Sequence, residues 1–199
     1  MVRARYGDPV PATRAFEEQL SNPETRCIAY MGMGILASRQ NRILDATKAF
    51  DEAMQCSPND QLFVREAGRF HYTKGDNQRG LKLLSQAVSM DRKDIMALYY
   101  YSRCLADAGN IGQAIDYIKE VLRQIPEDSD IHEHLARLYG RQNDLFQANL
   151  HMAYSGLYAN NRRKVDQFHS KIKGMTLTAA QKGQLERFDA IYNERKEFW

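Results

Sequence analysis

CIAYMGMGILASRQNRILDATKAFDEAMQCSPND, residues 27–60, and QLFVREAGRFHYTKGDNQRGLKLLSQAVSMDRKD, residues 61–94, are successive copies of one 34-residue pattern. Gly34 and Gly68 fall in the same slot, and so do Ala46 and Gly80; the second series continues to Ala114 and Ala148. Pro58 and Pro126 lie two periods apart. Self-similarity at such a period marks an array whose units bury their apolar faces only by stacking. Two further copies follow, 95–128 and 129–162. Each copy reads as two amphipathic helices. The turns between them fall at Asn41, at Gly75 and Asp76, at Gly109 and Asn110, and at Asn143 and Asp144. Pro58 and Pro126 stop the second helices, since proline lacks the N–H that would continue the ladder. No stretch alternates convincingly enough for a strand. Gly34, Gly68, Ser102 and Ala136 mark the closest helix crossings, with Ala46, Gly80, Ala114 and Ala148 facing them.

The period and these residues resemble the tetratricopeptide repeat (TPR) family. Tyr30, Met33, Gly34, Ala46, Phe50, Ala53 and Pro58 match its signature in the first copy. Ala67, Gly68, His71, Gly80, Leu84 and Ala87 match in the second, and Leu98, Tyr101, Ser102, Leu105, Ala114 and Pro126 in the third. The fourth is weaker: Leu135, Ala136, Tyr139 and Ala148 fit, but Asn160 replaces the closing proline. The resemblance implies an all-α TPR superhelix, a solenoid of antiparallel helix pairs with C-terminal capping helices.

The ends are less regular. Residues 1–26 read as a partial N-terminal repeat, with a second helix at 11–20 and its first helix missing or reduced to 2–6. The chain is therefore expected to be part of something longer. Residues 146–159 serve two registers, as the second helix of the fourth unit or the first of a degenerate fifth paired with 162–173. Thr178 is the expected N-cap of a last helix, 179–197, with Leu185, Phe188, Ile191 and Tyr192 on one face. Residues 163–199 thus form a degenerate repeat and a cap over the end of the array.

At 199 residues, 43% hydrophobic and 27% charged, the chain is long enough for a continuous core. A net charge of +3 is too mild to argue for nucleic acid. No apolar run is long enough for a transmembrane segment. Cys27 and Cys56 come to the same end of one hairpin; a disulfide is open to them, with two free thiols the favoured reading, and Cys104 reads as core. Catalytic motifs are missing: there is no phosphate loop, serine elbow or CxxC. His132 and His134 diverge by about 200° on a helix and cannot share a metal. His132 and His71 read as packing residues, and His151 and His169 have no partner at ligand spacing. No catalytic residue, metal or cofactor is expected within these 199 residues.

In the TPR family the first helices line a concave groove, with positions 2, 5, 9, 12 and 13 of each unit pointing inward. Ile28, Met31 and Ile35 would then form an apolar patch. Arg69, Arg103 and Arg137 repeat in one slot and would form a ladder, flanked by Arg65, Tyr72, Tyr99 and Arg141. These seven are the candidate partner-binding residues, because arginine suits carboxylate or backbone recognition and Arg and Tyr anchor interfaces.

The run Arg3, Ala4, Arg5, Tyr6, Gly7, Asp8, Pro9, the segment AFEEQL at 15–20, ANLHMAYSGLYANNRRKV at 148–165 and residues 182–196 with RFDAI at 187–191 are similar to the C-terminal part of BepA-type periplasmic zinc metallopeptidases. That resemblance implies a periplasmic TPR domain that docks outer-membrane β-barrel assembly machinery or its substrates. Zinc would belong only to a peptidase domain upstream. The alternatives are a cytoplasmic TPR adaptor for an acidic chaperone tail, an assembly scaffold unconnected to a protease, and an enzyme, the last disfavoured by the missing motifs.

Overall fold

A computed structural model describes residues 4, 5 and 7–198. The expected remnant helix at 2–6 falls mainly outside these residues; within them, Ala4 and Arg5 are helical. Eleven α-helices and no strand occur among the described residues. They are α1 (Pro9–Gln19), α2 (Arg26–Arg39), α3 (Ile43–Cys56), α4 (Gln61–Thr73), α5 (Asn77–Met90) and α6 (Ile95–Asp107). Then follow α7 (Ile111–Gln124), α8 (Ser129–Arg141), α9 (Leu145–Tyr158), α10 (Arg162–Lys173) and α11 (Ala179–Arg195), with a 3₁₀ turn at Lys196–Phe198. The fold is all-α and TPR-like.

The period is written into the backbone as well as the side chains. Asn41, Gly75, Gly109 and Asn143 all take positive φ, between 58° and 90°, at the turn inside each hairpin. Glycine takes that conformation without steric cost, and the short polar side chain of asparagine tolerates it. Helix starts repeat too. Asp60 caps the Phe63 N–H, Asp94 the Ala97 N–H and Asp128 the Ile131 N–H. Asp76 and Asp144 cap α5 and α9 in the same way. Thr178 closes a reciprocal capping box with Gln181.

Contacts divide the chain into two compact units, 1–104 and 105–199. In the first, Phe16, Met31, Leu36, Phe50, Phe63 and Phe70 belong to one core cluster. A Cβ on Gly34 would lie 3.1 Å from the Phe50 ring, one on Gly68 2.9 Å from Leu84 Cγ, and one on Gly80 2.8 Å from the Tyr72 backbone N. The small slots thus receive side chains and backbone of the opposing helix. Cys27 and Cys56 are bridged, with Cα atoms 5.5 Å apart, so the expectation of two free thiols is corrected. The cause is the hairpin itself, which returns the end of α3 to the start of α2. Cys104 is free and buried.

In the second unit α9 packs on both α8 and α10 and so serves both expected registers. Gly156 makes the second pairing close: a Cβ there would lie 3.0 Å from the Val165 backbone N. Phe188 of α11 is fully buried against Tyr154, with Leu185, Ile191 and Tyr192 packed around the same cluster.

Candidate protein-binding site

The first helices of the first unit place five of the seven expected residues together. Arg65 and Arg69 lie on α4 with Tyr72, and Tyr99 and Arg103 lie on α6. The Arg103 guanidinium sits 5.4 Å from the Tyr72 ring centroid and 5.7 Å from that of Tyr99, held between the two. Burial acts to lower the Arg103 pKa, and the Tyr72 and Tyr99 hydroxyls outweigh it and raise it. Tyr100 packs edge-on against Tyr99 and Tyr72, and Arg69 stands 5.9 Å from its ring.

Beside this clamp lies an ion-pair network. Glu66, only 1% exposed, accepts from Arg65 Nη2 at 2.9 Å and Arg69 Nη2 at 2.9 Å, and also pairs with Arg5. Asp94 accepts from Arg65 Nη1 at 2.6 Å and Gln61 Nε2 at 2.9 Å. Burial would raise the Asp94 pKa, but the Ala97 N–H, Gln61 and Arg65 hold it below the usual carboxylate range.

Two expectations about this face are corrected. Met31 and Ile35 are buried, at 0% and 3% exposure, in the cluster that also holds Ala4, Ala12 and Phe16; only Ile28 of that patch is exposed. The ladder of Arg69, Arg103 and Arg137 was expected to face solvent, but the Arg69 side chain is only 26% exposed and is paired with Glu66; Arg65 beside it is 17% exposed and is held by Glu66 and Asp94. Glu66, Asp94 and Tyr100 were not among the expected site residues. Signals existed: Glu66 sits beside Arg65 and three residues before Arg69, and Tyr100 lies inside a run of three tyrosines.

The other two expected residues belong to the second unit. Arg137 is 66% exposed and pairs with Glu133, which also accepts from Lys164 Nζ at 2.7 Å. Arg141 is exposed.

The histidines also differ from expectation. His132 is buried as expected, but its Nδ1 lies 2.9 Å from Nδ1 of His151, and its Nε2 lies 2.9 Å from the Pro126 carbonyl. His169 Nε2 lies 2.7 Å from Asp189. Both contacts join residues on different helices, which spacing along one helix does not reveal. Among the described residues no group of three or more His, Cys, Asp or Glu side chains is placed to hold a metal. No helix among them is long and apolar enough to cross a membrane.

This arrangement brings three tyrosine rings and three guanidinium groups together on two neighbouring helices. Comparison with known proteins agrees with the class the fold defines. The tetratricopeptide repeat family model matches residues 71–138. The TPR repeat-containing thioredoxin TTL4 of Arabidopsis thaliana is 29% identical over 136 residues, covering 67% of this chain and 19% of its own. The Cell division cycle protein 27 homolog B of the same plant is 23% identical over 123 residues, covering 62% and 16%. The chain thus spans under a fifth of these relatives' lengths. The crystal structure of YrrB, a TPR protein with an unusual peptide-binding site, superposes with a TM-score of 0.69 at 17% identity, over 85% of this chain and 87% of that one. At that identity the likeness concerns fold alone.

Proposed function

We propose that this chain is a protein–protein interaction module and that the first-helix face of its first unit holds a segment of a partner protein. The observation that carries the site is the Tyr72–Arg103–Tyr99 clamp. A guanidinium fixed between rings has lost its side-chain freedom before binding, so less entropy is lost when it meets a partner. The finer reading is a docking domain of a periplasmic zinc protease in outer-membrane protein quality control. The resemblance of both ends to BepA-type proteins supports it. So does the Cys27–Cys56 bridge, since structural disulfides belong to oxidising compartments. In that reading the chain recognises an extended or acidic segment and does no chemistry itself; zinc belongs to a separate peptidase domain.

The test is titration of the chain with purified β-barrel assembly machinery and, separately, with an unfolded β-barrel protein. Binding to one of them should weaken by about 2 kcal/mol when Tyr99 and Arg103 are replaced by Ala, as for an interface hot spot. Absence of binding to both would remove the protease-docking reading. Binding unaffected by the double substitution would move the site elsewhere.

A further inference from the structure

The second unit contains a cavity of about 820 Å³ that the proposed function does not use. Ligand pockets run from roughly 300 to 1,000 Å³. Its walls come from α7, α8, α9 and α11, and Leu122, Pro126 and Leu135 give it apolar sides. His151 and Tyr139 form an aromatic wall, their rings within 9° of parallel and 5.7 Å apart.

The hydrogen bonds assign the histidine tautomers. The Pro126 carbonyl can only accept, so His132 carries its proton on Nε2. Its Nδ1 is then a lone pair, and the 2.9 Å contact requires His151 to donate from Nδ1. That leaves Nε2 of His151 as a bare acceptor on a residue that lines the cavity, without a protein donor among the described residues. Both imidazoles are held neutral by burial, which lowers their pKa values, so the relay keeps this polarity at neutral pH. The equivalent slots one, two and three periods upstream hold Tyr117, Leu83 and Ala49, so the acceptor is peculiar to this unit.

The rim charges balance. Asp116, Lys119, Glu120 and Arg123 line it from α7, two of each sign. Lys119 is already committed to the face of Tyr139, 5.5 Å from the ring centroid. Gln147 Nε2 donates to Gln184 Oε1 at 2.9 Å on a further side. A neutral ring that enters among the apolar side chains and donates one hydrogen bond in the plane of the His151 imidazole, to its Nε2, fits these features. We propose that this cavity is a second binding site, which takes a tyrosine or tryptophan side chain from a protein segment. It is independent of the Tyr72–Arg103–Tyr99 clamp and can stand or fall without it.

The test uses the full chain with N-acetyl-tyrosinamide, N-acetyl-tryptophanamide and N-acetyl-phenylalaninamide, followed by NMR titration. The two donor-bearing probes should bind about five-fold more tightly than the phenylalanine probe, the worth of one neutral hydrogen bond. The imidazole ¹⁵N spectrum should show His151 as the Nδ1–H tautomer, with its Nε2 resonance moving on binding. His151→Phe keeps the ring and should erase the discrimination. Equal binding of all three probes, no saturable binding, or binding that leaves the His151 Nε2 resonance in place would each overturn the proposal. The ¹⁵N readout needs no substitution, so a variant that fails to fold does not rescue it.

Discussion

Gly34 and Gly68 hold the same slot of adjacent units but not the same space. A methyl group on Gly34 would press on Phe50 ring carbons at 3.1 Å, whereas one on Gly68 would meet Leu84 Cγ at 2.9 Å and the Leu84 backbone N at 3.0 Å. A ring can rotate away; a packed helix backbone cannot. Alanine gains up to about 1 kcal/mol of helix propensity over glycine, against an overpacking cost of roughly 1–3 kcal/mol. Gly68→Ala should therefore destabilise the fold while Gly34→Ala stays near neutral, and urea melts of the two variants decide it. Slots were legible in the sequence at this scale because they follow from the backbone period. Neighbours were not. Nothing in the spacing of Met31 and Ile35 says that Phe16 and Ala12 share their core, nor does the slot of Arg69 say that Glu66 is buried beside it. The histidines give a second residue-scale prediction. Burial, then His132 and Lys119, lower His151 from 6.5 to about 3, and burial lowers His132 and His71 as well. The unfolded chain then binds protons that the folded chain refuses. Stability should be full above about pH 6.5 and fall with decreasing pH, by up to about 1.4 kcal/mol per pH unit per histidine. Urea midpoints between pH 7.5 and about 5, above the range where carboxylates titrate, should show the decline, and a flat profile would contradict it.

At the scale of elements, the hairpin of α2 and α3 carries a constraint that no other hairpin has. The Cys27–Cys56 bridge closes a loop with a sequence separation of 29. Loop-closure entropy puts its worth at roughly 3–4 kcal/mol. Replacing both cysteines by Ser should lower stability by about that amount. Adding a reductant to the wild type should reproduce the loss and leave the variant unchanged. An insensitive wild type would mean that the thiols are free in solution. The helices themselves were largely legible, because aspartates, asparagines and glycines punctuate the chain at the repeat length. Expected and observed boundaries differ at the ends, and for a physical reason. α1 starts at Pro9 because Asp8 caps the Val10 N–H and proline is accommodated in the first turn. The double role of α9 was also open to reading, since Gly156 supplies a second close crossing against α10.

At the scale of the whole molecule, the seven candidate residues no longer form a uniform set. Arg65 and Arg69 are bound to Glu66 and Asp94, so much of their charge is already answered. Arg103 is held between rings. Arg137 is 66% exposed, and its pairing with Glu133 is of the surface kind, which is worth little. A partner that relied on a ladder of equal charges would lose affinity to a similar degree at each arginine and would weaken steeply with salt. The structure favours a different outcome. Hot spots concentrate where side chains are anchored and partly desolvated. Replacing Tyr99 and Arg103 by Ala should therefore cost about 2 kcal/mol or more of partner affinity, while replacing Arg137 and Arg141 by Ala should cost under about 1 kcal/mol. The smaller loss should vanish as salt is raised, since exposed charges are screened within about 10 Å at 0.1 M. The larger loss should persist, because ring contacts do not depend on ionic strength. Titrations of both double variants at low and high salt separate the cases. If the pair in the second unit proves the costlier and the more salt-sensitive, binding is led by exposed charge and the clamp is only structural.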